Sequence, residues 1–301
     1  MGYTTSLGEM ITATAEEALA SSRAAQLKGQ VQLVFTSPPF PLNTKKRYGN
    51  LQGEEYVRWL AGLAPTFRNL LTPDGSIAIE LGNAWEPGRP VMSTLALRTL
   101  LAFQEAAQLT LCQTFVCHNP ARLPSPAQWV TIERIRLKDS YTNVWWFAAS
   151  DRPKADNRRI LTAYGSRMRK LLERGDYNSG ARPSEHHISP ESFLRDNGGA
   201  IPGSVLSFAN TSSADRYLRY CREMGLRPHP ARMPPALAEF FIGFLTDPGD
   251  LVLDPFAGSN TTGAAAERLE RRWVSFEPIE DYVRTSQGRF EDTTIDQHQL
   301  A

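Results

Sequence analysis

Two groups of residues, far apart in the chain, have the types and spacing to do chemistry. The first is Ser37-Pro38-Pro39-Phe40, which follows the apolar run Val31-Gln32-Leu33-Val34-Phe35-Thr36. Such a run reads as a buried parallel strand. Pro38 and Pro39 offer no backbone N–H and bias the preceding residue to an extended shape, so the strand must stop at Ser37. The Ser37 hydroxyl and the Pro38 carbonyl are then left as bare acceptors at the strand's carboxyl end, with Phe40 as a flat apolar face beside them. That set suits the amino group and ring of a planar base. Without chemistry, the same residues are a buried strand and an ordinary proline turn.

The second group is Asp254-Pro255-Phe256-Ala257-Gly258-Ser259-Asn260-Thr261-Thr262-Gly263, after the apolar Leu251-Val252-Leu253 and before a helical run from Ala264 to Leu269. A strand, a turn of small residues and a helix make half of a Rossmann-type nucleotide site. There is no Gly-x-Gly-x-x-Gly, and Ala264 stands where a phosphate-binding loop needs Lys. Asp254 at the strand end suits a positively charged ligand better than a triphosphate. Arg272 to Phe276 reads as the next strand, and it delivers Glu277, an acid placed to take both hydroxyls of a ribose.

In this order, TSPPF, DPFAGSNTTG and the strand-end Glu277 resemble the β-class DNA amino-methyltransferases. HNPARLPSPAQWV, TNVWWFAAS, DNGGAIP and HPARMPPALAEFFIGFLTDPGD are similar to the cytosine-N4 enzymes of the PvuII methyltransferase type. The resemblance runs from about Leu7 to Phe290. It implies an α/β Rossmann-like methyltransferase sheet with helices on both faces, a circularly permuted motif order and an inserted target-recognition region. It further implies S-adenosylmethionine as cofactor, held by Thr36, Asp254, Phe256, Gly258, Ser259, Asn260, Thr261, Thr262 and Glu277. The family usually has Gly-Asp at the end of its third cofactor strand, where this chain has Ala13-Thr14, so Thr14 takes the place of the adenine-holding acid.

The activity implied is methyl transfer to the exocyclic N4 of cytosine in double-stranded DNA. Ser37, Pro38 and Pro39 form the catalytic turn, and Phe40 stacks on a base extruded from the duplex. Ser37 either accepts from the amine or donates to ring N3. Adenine-N6 methylation poses the same chemical problem, but the family's adenine enzymes mostly have Asp or Asn at the place of Ser37. A methyltransferase of RNA or protein and a non-catalytic cofactor-binding regulator are the readings from other classes. A cysteine nucleophile acting at cytosine C5 is excluded, since no proline is followed by Cys.

These groups need a framework and a surface for DNA. The 301 residues are 41% hydrophobic with a net charge of +1, so any nucleic-acid surface must be a local patch. Three cysteines without a CxxC pair imply no disulfide framework. No metal site is expected, because His186-His187 has no further ligand at suitable spacing. No run is apolar enough to span a membrane and no signal segment opens the chain, so the expected location is the cytoplasm. A cognate restriction endonuclease, acting separately, is a further expected partner.

Residues 1–150 are expected to form the catalytic half, 151–228 the target-recognition region, and 229–301 the cofactor half. Lys45, Lys46 and Arg47 lie in a basic loop suited to phosphates, though a charge run is more often a solvated surface. His118 stands near the flipped base or serves the fold. Residues 151–182 contain nine Arg or Lys against four Asp or Glu, and turn formers follow. Arg182, Arg195 and Asn197 are the candidates there for reading base edges, with a structural insertion or a dimerisation arm as the alternatives. The periodicity predicts a strand over 10–13 and helices over 15–27, 54–71, 93–107 and 236–245. It predicts strands over 76–81 and 111–116, and a closing pair over 131–137 and 142–148 with Trp145 and Trp146 in the core.

Overall fold

The structure, a computed structural model, describes residues 2–40, 51–175, 180–181, 183, 187–188, 194–208 and 215–290. Two compact units are formed: Met1–Ala155 with Ser204–Ala301, and Asp156–Gly203. The expected recognition region, 151–228, contains all of the second unit and parts of the first.

The first unit begins with β1 (Gly2–Thr4), β2 (Gly8–Ile11), α1 (Ala15–Ala20), α2 (Ser22–Gln26) and β3 (Val31–Thr36). It continues with α3 (Gly53–Leu70), β4 (Leu71–Gly82), α4 (Leu95–Ala106), β5 (Thr110–His118) and β6 (Tyr141–Ala148). In the second unit lie α5 (Ser166–Arg174), β7 (Gly180–Ala181) and β8 (His187–Ile188), the last two paired only with each other. The first unit resumes with β9 (Val205–Ser207), α6 (Arg216–Glu223), α7 (Pro235–Leu245) and β10 (Leu251–Asp254). It ends with α8 (Thr261–Arg268), β11 (Arg272–Phe276) and α9 (Glu280–Ser286).

One sheet of the described residues runs β1-β2-β11-β10-β3-β4-β6-β5-β9. β2, β11, β10, β3 and β4 are parallel, and β6 enters antiparallel between β4 and β5. Alternate residues face opposite sides. Ile77, Ile79, Leu81, Trp145, Phe147, Leu251 and Leu253 pack with α3 and α4 on one face. Ala78, Val144, Trp146 and Val252 pack with α7 and α8 on the other. Both tryptophans are core, as the pattern predicts.

Two sequence expectations need correction. Thr131–Leu137 alternates like a strand, yet it contains the end of one π-helical turn, Gln128–Ile132, and then irregular chain. The place beside β6 is taken by β5 and its other side by β4, so no edge is left for that segment. The helix expected over 15–27 breaks at Ser21, whose hydroxyl donates to Ala18 O and accepts from Ala24 N, capping α2.

In the second unit, Asp156 caps a short 3-10 turn (Asn157–Ile160) and pairs with Arg158. Arg195 and Asn197 are exposed. The Asn197 backbone N–H donates to the Tyr164 hydroxyl at 2.8 Å.

Phe241 of α7 ties its helix to the sheet, stacking on Phe35 at 5.3 Å and meeting Phe115 edge-on at 5.0 Å. It is fully buried. Phe241→Ala should cost about 3–5 kcal/mol of stability by denaturant unfolding. A loss under about 1 kcal/mol would show that this face does not hold the sheet.

Candidate active site

β10 lies directly between β11 and β3, so three strand ends open on one side of the sheet. Thr36, the last residue of β3, is fully buried and donates its hydroxyl to Asp254 Oδ1 at 2.6 Å. The same oxygen accepts the Phe256 N–H at 3.1 Å, and Thr262 also bonds the carboxylate. Burial nonetheless pushes the Asp254 carboxyl up to about 6, against the pull of these three bonds.

Gly258 sits at φ 52°, and its N–H donates to Glu277 Oε2 at 3.0 Å. A Cβ there would stand 3.2 Å from the His229 ring, so the turn needs glycine both for its backbone and for its space. The other Glu277 oxygen accepts from Ile279 N at 3.0 Å. Burial pushes the Glu277 carboxyl up to about 7; its two backbone bonds oppose this, and the nearby Asp254 adds to it.

These strand ends border a cavity of about 810 Å³. Its walls include Ser37, Pro38, Pro39 and Phe40 together with Asp254, Phe256, Gly258, Ser259, Thr261, Thr262 and Glu277. Thr14 and His118 also line it. The two distant groups of the sequence are therefore one site. Thr36 and Asn260 are not among its lining residues. Asn260 is wholly buried, accepting from Gly263 N and Ser275 Oγ and donating to Tyr3 Oη, so it holds the turn from behind. Thr14 caps α1: it donates to Glu17 and accepts from Glu17 N. His118 closes β5, its Nδ1 lying 3.4 Å from Ser207 Oγ. Arg195 and Asn197 belong to the second unit, while Lys45, Lys46, Arg47 and Arg182 lie outside the described residues.

Glu80, outside the candidate set, also lines the cavity. Glu80, on β4 beside the Ser37 turn, is 8% exposed and bonds both Ser37 and Thr142, the latter at 2.9 Å. Burial raises its carboxyl above the ordinary range despite these bonds and the charge of Arg122. A charged residue in the otherwise apolar run Ile77-Ala78-Ile79-Glu80-Leu81 was the available signal, because a central strand has no solvent face to accommodate it. Phe40 packs against the bare backbone of Gly82, where a Cβ would lie 2.6 Å from its ring. Trp59 meets Phe256 edge-on at 5.4 Å and gives its indole N–H to Glu16.

His229 is held by long-range contacts: its N–H donates to Tyr217 Oη at 2.8 Å, and its ring meets Tyr282 at 4.4 Å. Burial lowers its pKa, favouring the neutral ring. Arg289 lies over the Tyr217 ring and donates to both the carbonyl and the hydroxyl of Ser259. The Gly258–Ser259 turn is thus braced by α6 and the segment after α9.

A parallel sheet with acids at two adjacent strand ends, and an acceptor turn on the third, defines an α/β transferase site at a switch in strand order. The family model described as DNA methylase matches residues 31–288. Type II methyltransferase M.PvuII of Proteus hauseri is 43% identical over 300 residues, 99% of this chain and 88% of the relative. The solved PvuII DNA methyltransferase (cytosine-N4-specific) superposes with a TM-score of 0.76 at 38% identity, covering 96% of this chain and 88% of that one. The M1.HpyAVI–SAM complex shares the fold, with a TM-score of 0.54, 19% identity, and 94% and 98% coverage. The chain belongs to the DNA methylase family.

Glu277 keeps its proton in the folded chain up to about pH 7, whereas an ordinary glutamate releases it near 4.5. Folding binds that proton inside this window, so the fold loses stability as pH rises through it. Glu277→Gln removes the loss and should be more stable than the wild type at pH 8 by ~1–2 kcal/mol, the amide giving up one of two acceptors. Near pH 4.5 the advantage should vanish. Urea unfolding at both values checks this; a variant weaker than the wild type at pH 8 would contradict the buried, uphill carboxylate.

Proposed function

We propose that the protein transfers a methyl group from S-adenosylmethionine to the exocyclic N4 of cytosine in DNA. The observation that carries this is the single cavity in which the Ser37 turn meets the Asp254 and Glu277 strand ends. The cofactor suits the second half of that cavity. Asp254 and Glu277 supply acceptors and negative charge, Phe256 an apolar wall, and Gly258 a backbone without a side chain. Ser259, Thr261 and Thr262 would complete the holding set, and Thr14 borders it. Bound there, S-adenosylmethionine supplies a methyl group activated by a sulfonium.

The residues of the chain must make the target amine a nucleophile, since its lone pair is delocalised into the ring. The Ser37 hydroxyl hydrogen is committed to Glu80, which leaves its oxygen lone pairs to accept from the amine. This favours acceptance from the amine over donation to N3. The Pro38 carbonyl is the second acceptor. Drawing on both amino hydrogens favours a more tetrahedral nitrogen, and Phe40 holds the ring beside it. As the methyl group exchanges its bond to sulfur for one to nitrogen, the nitrogen would shed one proton, which Ser37 would relay to ionised Glu80. Its burial makes Glu80 a stronger base than an exposed carboxylate. Most of the acceleration comes from positioning.

Lys45, Lys46 and Arg47 are assigned to phosphates, His118 to the neighbourhood of the extruded base, and Arg182, Arg195 and Asn197 to the target sequence. Among the described residues no helix is long and apolar enough to cross a membrane. Cytoplasmic DNA is the proposed substrate, marked against a separate cognate endonuclease.

Purified protein, labelled S-adenosylmethionine and duplex DNA test the reading. Ser37→Ala should bind the cofactor as the wild type does yet transfer ~10²-fold or more slowly. Glu80→Gln should lose about as much and flatten a rate that otherwise climbs with pH as Glu80 ionises. Parallel loss of cofactor affinity and rate in both variants would place these residues in the wrong half of the site.

A further inference from the structure

The segment from Asn119 to Ser140 leaves the cavity wall and returns to it as a loop. Its feet are tied by the Asn119 N–H donating to Ser140 O at 2.8 Å, and Asn119 and Arg122 line the cavity. Its polar groups bond to one another. Lys138 Nζ reaches Arg122 O at 3.2 Å, Arg122 reaches Tyr141 O, Gln128 bonds Glu133, and Ile135 N donates to Trp129 O. Arg136 lies flat on the Trp85 ring. Asp139 accepts from Asn83 Nδ2 at 3.0 Å.

Its large aliphatic side chains turn outward instead: Leu123 is 79% exposed, Ile132 68%, Ile135 58% and Leu137 88%. A loop that shows water its leucines and isoleucines, while a buried nitrogen of Arg136 has no hydrogen-bond partner, marks an interaction surface. Arg134 and Lys138, both exposed, alternate with these side chains. Exposed Glu133 is engaged by Gln128, which leaves the cations to favour an anionic partner with apolar faces beside the cavity. Stacked base pairs between phosphate rows meet all three conditions. Proteins that distort duplexes insert such aliphatic side chains between base steps and place cations on the phosphates.

Resting on the proposed action on duplex DNA, we infer that this loop is the wedge that opens the duplex beside the target base. Leu123, Ile132, Ile135 and Leu137 press against the base pairs exposed when the target leaves the stack, and Arg134 and Lys138 meet the flanking phosphates.

The test replaces the four aliphatic residues by Ser, singly and together, in the full-length protein. Substrates are two oligonucleotide duplexes bearing the site mapped in DNA from cells expressing the protein. In one the target cytosine is paired with guanine; in the other it faces an abasic position and is already free to leave the stack. The fourfold variant should lose about tenfold or more in rate on the paired duplex and return to within about twofold of the wild type on the abasic one. No loss on the paired duplex, or equal loss on both, overturns the wedge. So does a change of oligomeric state on sizing of the variant, which would make a second copy of the chain the occupant. A wild-type protein inactive on both duplexes overturns the underlying reading and the wedge with it, and is recognised before any variant is compared.

Discussion

The site depends on one buried contact, the Thr36 hydroxyl donating to Asp254 across adjacent parallel strands. Thr36 ends the strand that delivers the Ser37 turn, and Asp254 ends the strand that delivers the Gly258 turn. Parallel pairing of these strands, Val252 beside Leu33 and Leu253 beside Val34, sends both turns out of the same end of the sheet. A carboxylate without partners at such depth would be costly, and bonds from Thr36, Thr262 and the Phe256 N–H keep this one usable. Residues 218 positions apart are thereby fixed within hydrogen-bond distance of each other.

Around that contact the protein holds three carboxyl groups uphill of their ordinary range: Asp254, Glu277 and Glu80. Burial is the leading cause for each, so each costs stability and is retained for what it can bind or accept. Their division is spatial. Asp254 and Glu277 lie at the ends of β10 and β11 with the glycine turn between them, while Glu80 stands behind Ser37 on β4. Arg122 and Arg232 line the same cavity, Arg122 near Glu80, and Arg289 braces Ser259.

Much of this was legible in the sequence, because the signals were local. The double proline dictates where β3 ends, and the run of small residues after Asp254 dictates a tight turn into α8. Apolar alternation puts Trp145 and Trp146 in the core. What was not legible depends on partners far along the chain. Glu80 gains its meaning from Ser37 and Thr142, and His229 from Tyr217 and Tyr282, pairs that no spacing rule connects. Thr131–Leu137 shows the converse: it alternates as a strand should, but the neighbouring place in the sheet already belonged to β5. Ser21 breaks a continuous helical pattern because its hydroxyl competes for backbone partners.

On the proposed function, this cavity brings an activated methyl group to the amino nitrogen of an extruded cytosine. Nucleoside analysis of DNA from cells expressing the wild-type chain, set against cells expressing Ser37→Ala, tests it most directly. N4-methylcytosine should appear with the first and be absent, or nearly so, with the second. N6-methyladenine in its place, or no methylated nucleoside from a folded wild-type protein that binds S-adenosylmethionine, would contradict the account.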